Sequence, residues 1–285
     1  MMLRQLLRSG ELVVAPGVFD GFSTMMAREL PFDAIYMGGY CVAASRYGLP
    51  DAGLVGLSEM ADAVRLITSL TDKPLIADAD TGYGGLLNVK HTVRTYEAAG
   101  AAAIQIEDQE MPKKCGHTKG KRVIAEHEMV AKISVALEAR RNPDFVVIAR
   151  TDSLATHGLD EAIKRCRAYR AAGADIVFID ALDSVDAIER AGGELGGGLM
   201  INITPAKEFM TPQVSRDRLQ ELGYSIAIYP GMFAGAMLGA AEKAARYFQQ
   251  HGLLDPDCGP SISTHRLVGF ETIWADEERW AARHG

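Results

Sequence analysis

The chain has 285 residues, 48% of them hydrophobic and 24% charged, with a formal net charge of −7 at pH 7. That content suffices for one large core or two small ones, and the acidic balance argues against a nucleic-acid binder, which needs a clustered basic face to neutralise phosphates. No apolar run approaches the roughly 18 residues that span a bilayer, and no apolar segment of a secretory signal follows the arginines of Met1–Gly10, so a cytoplasmic protein with no membrane partner is expected. Cysteines at positions 41, 115, 166 and 258 form no CxxC pair, which suggests neither a disulfide framework nor a structural zinc site.

In chain order, apolar runs read as strands at Leu12–Ala15, Ala34–Met37, Leu75–Ala79, Ala103–Ile106, Phe145–Ala149, Ile176–Ile179, Leu199–Ile203 and Ile226–Tyr229. Most are continuous rather than alternating, as expected for strands covered on both faces. Amphipathic stretches lie between them, among them Asn88–Ala99, Glu126–Arg141 and Leu159–Ala172. The first ends at Gly100 and the third at Gly173, in the repeated Ala-Gly-Ala that precedes a strand. Eight strands alternating with helices predict an α/β fold, a (β/α)8 barrel of the TIM type. An open doubly wound sheet is the alternative, but no GxGxxG follows the first strand and no shift of composition marks a second domain.

In such barrels the chemistry gathers at the C-terminal ends of the strands. Those ends read Asp78 and Asp80, Glu107 and Asp108, Arg150 and Asp152, Asp180, Asn202 and Thr204, and Tyr229. Charges gathered at one mouth are costly unless paired or bound to a ligand, which points to a site, with a structural ion-pair ring around Arg150 as the alternative. Asp78, Asp80 and Glu107 form an all-oxygen set suited to Mg2+ or Mn2+, with waters completing the shell. Capping or a turn would explain one aspartate, hardly the whole set. Gly38-Gly39 after the second strand could let backbone amides approach a small carboxylate, or form an ordinary tight turn. Arg150 could grip a carboxylate in bidentate fashion. His91, His127, His157, His251 and His265 have no partners in sequence and read as surface residues.

After the fourth strand comes Lys113-Lys114-Cys115-Gly116-His117. A lone cysteine is most often a small buried hydrophobe. This one is flanked by cations, which favours the thiolate and marks the loop as reactive.

Together these residues resemble the isocitrate lyase/phosphoenolpyruvate mutase superfamily, most closely its 2-methylisocitrate lyase-like branch. The resemblance runs from about Ala15 to Tyr229. It rests on Tyr36-Met-Gly-Gly39, Gly48-Leu-Pro-Asp51, Asp78-Ala-Asp-Thr-Gly-Tyr-Gly84, Ile106-Glu-Asp-Gln109, Lys114-Cys-Gly-His117, Ala149-Arg-Thr-Asp152, Asn202-Ile-Thr204 and Tyr229-Pro230. It implies a Mg2+-dependent lyase (Mn2+ as a second choice) with Cys115, Lys113, Lys114, His117 and Arg150 in catalysis. Substrate contacts are implied at Tyr36, Gly38, Gly39, Asp51, Arg150, Asp180, Asn202 and Thr204, and the metal at Asp78, Asp80 and Glu107. The implied reaction is a retro-Claisen cleavage of a 2-hydroxy di- or tricarboxylate to pyruvate or another 2-oxo acid, with Cys115 as general acid under a closing loop. The resemblance also implies a barrel over 1–250 and a helical extension over 251–285 that is exchanged between neighbours of a homotetramer.

The chain departs from the tricarboxylate-cleaving pattern in places. Gly235 stands where those members carry an arginine, Asp180 replaces a glutamate, Lys114 an arginine, and Asn202-Ile-Thr is followed by Pro-Ala-Lys207-Glu208. A smaller dicarboxylate such as an alkyl malate, or oxaloacetate, is therefore expected, with Lys207 as a replacement cation. Oxaloacetate hydrolysis or decarboxylation is the alternative. Phosphoenolpyruvate or phosphonopyruvate chemistry fits the cysteine loop less well, and a non-catalytic keto-acid binder fits the site residues least.

Overall fold

The computed structural model describes residues 2–204, 211–259 and 261–284. The eight apolar runs form parallel strands: β1 (Val13–Pro16), β2 (Ile35–Met37), β3 (Leu75–Asp78), β4 (Ala103–Glu107), β5 (Val146–Thr151), β6 (Ile176–Ile179), β7 (Leu199–Asn202) and β8 (Tyr224–Tyr229). They pair in the order β1-β8-β7-β6-β5-β4-β3-β2. Between β1 and β2 the wall closes through one isolated bridge, Gly17 with Tyr36, reinforced by Val18 N–H donating to Tyr36 O at 2.8 Å. The result is a near-closed TIM-like barrel, as expected. β5 runs past its apolar residues because Arg150 and Thr151 still pair with Phe178 and Ile179 of β6. Polar side chains are thus built into the wall rather than into the loop that follows it.

Helices alternate with the strands: α1 (Leu3–Arg8), α2 (Gly21–Glu29), α3 (Gly39–Val42), α4 (Leu57–Leu70), α5 (Leu86–Ala98), α6 (Glu126–Ala139), α7 (Leu154–His157), α8 (Leu159–Ala171), α9 (Val185–Leu195) and α10 (Arg216–Glu221). Gly100 and Gly173 adopt φ of +95° and +101° just past α5 and α8, the left-handed turn that a side chain would disfavour. Asp20 and Ser184 cap α2 and α9 by accepting the amides of Ser23 and Ala187.

Alternate strand residues separate two cores. Val13, Ala15, Tyr36, Ile76, Ala103, Val146, Ile148, Phe178, Met200, Ile226 and Ile228 fill the barrel, with Leu3 of α1 packed among them. The other strand face packs against the helices through residues such as Ile104, Val147, Val177, Ile133, Ile163 and Ile188. This two-sided burial explains the continuous apolar runs.

The chain divides into two units, Met1–Ala234 and Gly235–Gly285, a boundary that falls inside α11 (Met232–His251). The second unit continues with α12 (Thr264–Leu267) and α13 (Phe270–His284). Among the described residues, no helix is long and apolar enough to cross a membrane.

Candidate active site

At the C-terminal end of β3 the Asp78 carboxylate is fully engaged. Oδ2 accepts Gly39 N–H at 3.0 Å; Oδ1 accepts Asp80 N–H at 3.1 Å and Gln105 Nε2 at 3.2 Å. Gln105 is oriented in turn by the Tyr36 hydroxyl, 3.2 Å from its Oε1. Asp80 has φ +48°, a costly conformation for a residue with a side chain, held in place by Glu107 N–H donating to its carbonyl at 2.8 Å. The Lys113 ammonium lies 2.7 Å from Asp80 Oδ1 and also bonds Asp51. An ideal Cβ on Gly39 would stand 3.3 Å from Asp78 Oδ2, 3.3 Å from Asp80 Oδ1 and 3.4 Å from Lys113 Nζ, so these three groups converge on one point.

Burial pushes the Asp80 carboxyl up against the pull of Lys113, and pushes Glu107 well above the usual range against the pull of Arg150. Burial alone would lower the Lys113 ammonium, but Asp80, Glu107, Asp78 and Asp51 outweigh it and raise it. Glu107 Oε2 lies 3.3 Å from Arg150 Nε, while its buried Oε1 has no hydrogen-bond partner. Among the described residues, Asp51, Asp80, Glu107, Asp152 and Asp180 form ion pairs with Lys113, Lys121 and Arg150, and Asp78 lies beside them, so these carboxylates outnumber the cations they pair with. An orphaned carboxylate oxygen and an uncompensated negative charge fit a hard cation. No group of three His, Cys, Asp or Glu able to enclose a metal exists among the described residues. Mg2+ does not demand one, since it keeps several waters and takes one or two carboxylates directly.

The guanidinium of Arg150, stacked 5.6 Å from the Phe178 ring, is gripped on two sides. Asp152 takes Nε at 2.8 Å and Nη2 at 3.0 Å, and Asp180 takes Nη2 at 2.7 Å. Burial would lower the Arg150 pKa, but Asp152, Asp180 and Glu107 raise it. Asp180 Oδ1 accepts Asn202 Nδ2 at 3.3 Å, and Asn202 Oδ1 accepts the Thr204 hydroxyl at 2.9 Å. Asp180, Asn202 and Thr204, all expected as substrate contacts, are thus linked to the arginine by a chain of hydrogen bonds. Behind Asp152, its backbone N–H donates to Asp108 Oδ1 at 2.9 Å, while Asp108 Oδ2 accepts Thr151, Arg165 and Tyr169.

The segment carrying Cys115 is a hairpin-like excursion closed at its base by a Gln109–Val123 bridge. Gln109 clamps the Lys114 backbone through both amide atoms, at 2.8 and 3.1 Å, and Cys115 N–H donates to Asp51 O at 3.0 Å. Gly116 packs onto the arginine cluster: a Cβ there would overlap Asp180 Oδ2 and Arg150 Nη2.

Several expectations change. The thiolate expected at Cys115 is not favoured, because burial pushes its pKa up to about 11 and outweighs nearby positive charge. Lys114 is exposed and its ammonium ends on Gly120 O at 3.0 Å, whereas the Lys113 ammonium is buried against Asp80 and Asp51. The Gly39 amide, expected to meet a carboxylate of the substrate, donates to Asp78 Oδ2 at 3.0 Å. His117 is half-buried, its pKa lowered chiefly by burial, with Nε2 3.4 Å from the Thr211 hydroxyl. Lys207 lies outside the described residues, and Gly235 is the first residue of the second unit. The five histidines read as surface residues are exposed. Sequence reasoning overlooked Lys121, whose ammonium is buried against Asp152 at 3.0 Å. Its one signal was its place between Gly120 and the strand-like return of the loop. Gln105, buried in β4, was overlooked because it sat in an apolar run.

Comparison with known proteins gives a consistent picture. The family model for phosphoenolpyruvate phosphomutase matches residues 3–249. The chain is 45% identical over 228 residues to 2,3-dimethylmalate lyase of Eubacterium barkeri, covering 80% of this chain and 78% of that protein. It is 42% identical over 253 residues to 2-methylisocitrate lyase of Aeropyrum pernix, covering 88% and 80%. Its structure superposes with a TM-score of 0.89 on oxaloacetate acetylhydrolase bound to the inhibitor 3,3-difluorooxalacetate, at 35% identity over 99% of this chain and 96% of that one.

Proposed function

The chain belongs to the phosphoenolpyruvate mutase/isocitrate lyase superfamily, alongside its carbon–carbon lyases, and from that premise we propose that it cleaves a 2-hydroxy dicarboxylate of the alkyl-malate type to a 2-oxo acid and a carboxylate. The observation that carries this reading is the packing of the Cys115 loop against the Arg150–Asp180 pair, and burial there pushes the thiol pKa up to about 11, in keeping with a proton donor.

In the proposed reaction a general base takes the proton of the 2-hydroxyl, and the C–O bond becomes the carbonyl of the departing 2-oxo acid. The electron pair of the breaking C–C bond passes to the other fragment as an aci-carboxylate. Cys115 Sγ–H then protonates its carbon, which a thiol does and a thiolate does not. Arg150 binds a carboxylate of the substrate through Nη1, the guanidinium nitrogen that Asp152, Asp180 and Glu107 do not use. Lys113 offsets the charge of Asp51 and Asp80 beneath the reacting centre. A bound Mg2+ or Mn2+ supplies Lewis-acid stabilisation of charge at the 2-oxygen, and Asp78, Asp80, Glu107 and Asp51 are the residues to hold it, partly through water.

A small substrate is favoured because Asp180 and Gly235 stand where tricarboxylate-cleaving members carry longer groups. The test is turnover of 2,3-dimethylmalate, 2-methylisocitrate and oxaloacetate with Mg2+. Preferred cleavage of 2,3-dimethylmalate is expected; a clear preference for 2-methylisocitrate overturns the small-substrate reading. Similarity to oxaloacetate acetylhydrolase at a TM-score of 0.89 favours one second reading, which oxalate and acetate from oxaloacetate would establish.

The second unit exposes Leu238, Phe248, Leu253, Leu254, Trp274 and Trp280. We propose that a neighbouring copy covers them in a cytoplasmic homotetramer, which light scattering tests through the molecular mass.

A further inference from the structure

Lys121 has no part in the chemistry above, yet its side chain is 1% exposed. A buried ammonium is tolerated only when it is paired and hydrogen-bonded, and its partners here belong to two different parts of the site. One is Asp152 Oδ1 at 3.0 Å; the other is the carbonyl of Gly116, between Cys115 and His117. Asp152 is the carboxylate that takes Nε and Nη2 of Arg150, and it is fixed from behind by Asp108. Gly116 is the residue whose missing side chain lets the loop lie on Arg150 and Asp180. For the loop to withdraw, Lys121 must give up either the Gly116 carbonyl or Asp152.

We propose that Lys121 is a positioning residue that ties closure of the Cys115 loop to the orientation of Arg150, bringing the proton donor and the carboxylate-binding fork into register together. The proposal rests on the reading that Cys115 and Arg150 act on one substrate. A lysine that merely neutralised Asp152 would leave the loop unaffected, so the loop is where the two roles separate.

The experiment follows alkylation of Cys115 by iodoacetamide, site by site through peptide mass spectrometry, in wild type, Lys121→Met and Lys121→Arg, with and without Mg2+ and oxalate. Loss of a charge-assisted hydrogen bond should raise the Cys115 alkylation rate about tenfold in Lys121→Met, and Lys121→Arg should recover much of the protection. On an accepted substrate, kcat should fall while KM changes little. A folded Lys121→Met protein alkylated at the wild-type rate overturns the proposal. If that variant does not fold, reductive methylation of wild type decides: Lys121 should react in step with Cys115, and Mg2+ with oxalate should slow both. Lys121 left unreacted while Cys115 is consumed overturns it. Alkylation requires no turnover, so failure of the assigned reaction and failure of the latch are read separately.

Discussion

The carboxylate of Asp180 fills the space in which Gly116 would carry a side chain. Asp180 cannot swing aside, being 1% exposed and held by Arg150 at 2.7 Å and Asn202 at 3.3 Å. Gly116→Ala must therefore lift the loop rather than move the acid. A displacement of about 1 Å at a reacting group costs about 100-fold, so kcat should drop by that order while thermal stability stays near wild type. Steady-state kinetics beside a melting curve would check it; wild-type kcat would show that the loop does not need this contact.

Replacing the acid itself is more severe. Cys115→Ser keeps the shape but offers a much weaker acid, and loss of a general acid is worth about 10²–10⁴ in rate. Turnover should fall by that range while Mn2+ binding, followed by electron spin resonance, is unchanged. Near-normal turnover would remove Cys115 from the proton-donor role.

The thiol also predicts a pH dependence. With burial holding the Cys115 pKa at about 11, the thiolate fraction rises about tenfold per pH unit below that value. Alkylation of Cys115 should climb steadily from pH 7 to pH 10. A rate already level by pH 8 would mean an activated thiolate, contrary to the burial seen here.

Asp152 gives a stability prediction. Burial alone would raise its pKa, but Arg150 and Lys121 outweigh it and hold the group at about 2. That is below the unfolded value of about 3.9, so the ionised form stabilises the fold above about pH 4, and this contribution is lost as pH falls towards 2. Asp152→Asn leaves two buried cations short of a partner and should cost about 3–5 kcal/mol at pH 6. In urea titrations the gap from wild type should narrow below pH 4; a constant gap from pH 6 to pH 3 would contradict the assignment.

The barrel and the ring of strand-end residues were legible because both follow from local rules. Apolar runs buried on two faces stand out, and each stops at the residue that turns toward the mouth, as at Asp78 and Glu107. Loop residues obey no such period. Nothing in Lys113-Lys114 says which ammonium turns inward; the Gln109 clamp on the Lys114 backbone does. The thiolate expectation at Cys115 counted neighbouring charges and could not count burial, the larger effect. Lys121 and Asp152 are 31 residues apart and meet only in the folded chain.

The seam between β1 and β2 has one further consequence. Its one bridge among the described residues uses the backbone of Tyr36, whose hydroxyl steers Gln105 and, through it, Asp78. A single residue is thus both the stitch in the wall and the first strut beneath the carboxylates at the end of β3. The weakest-laced seam of the wall and the scaffold under Asp78 are therefore anchored on one and the same piece of backbone.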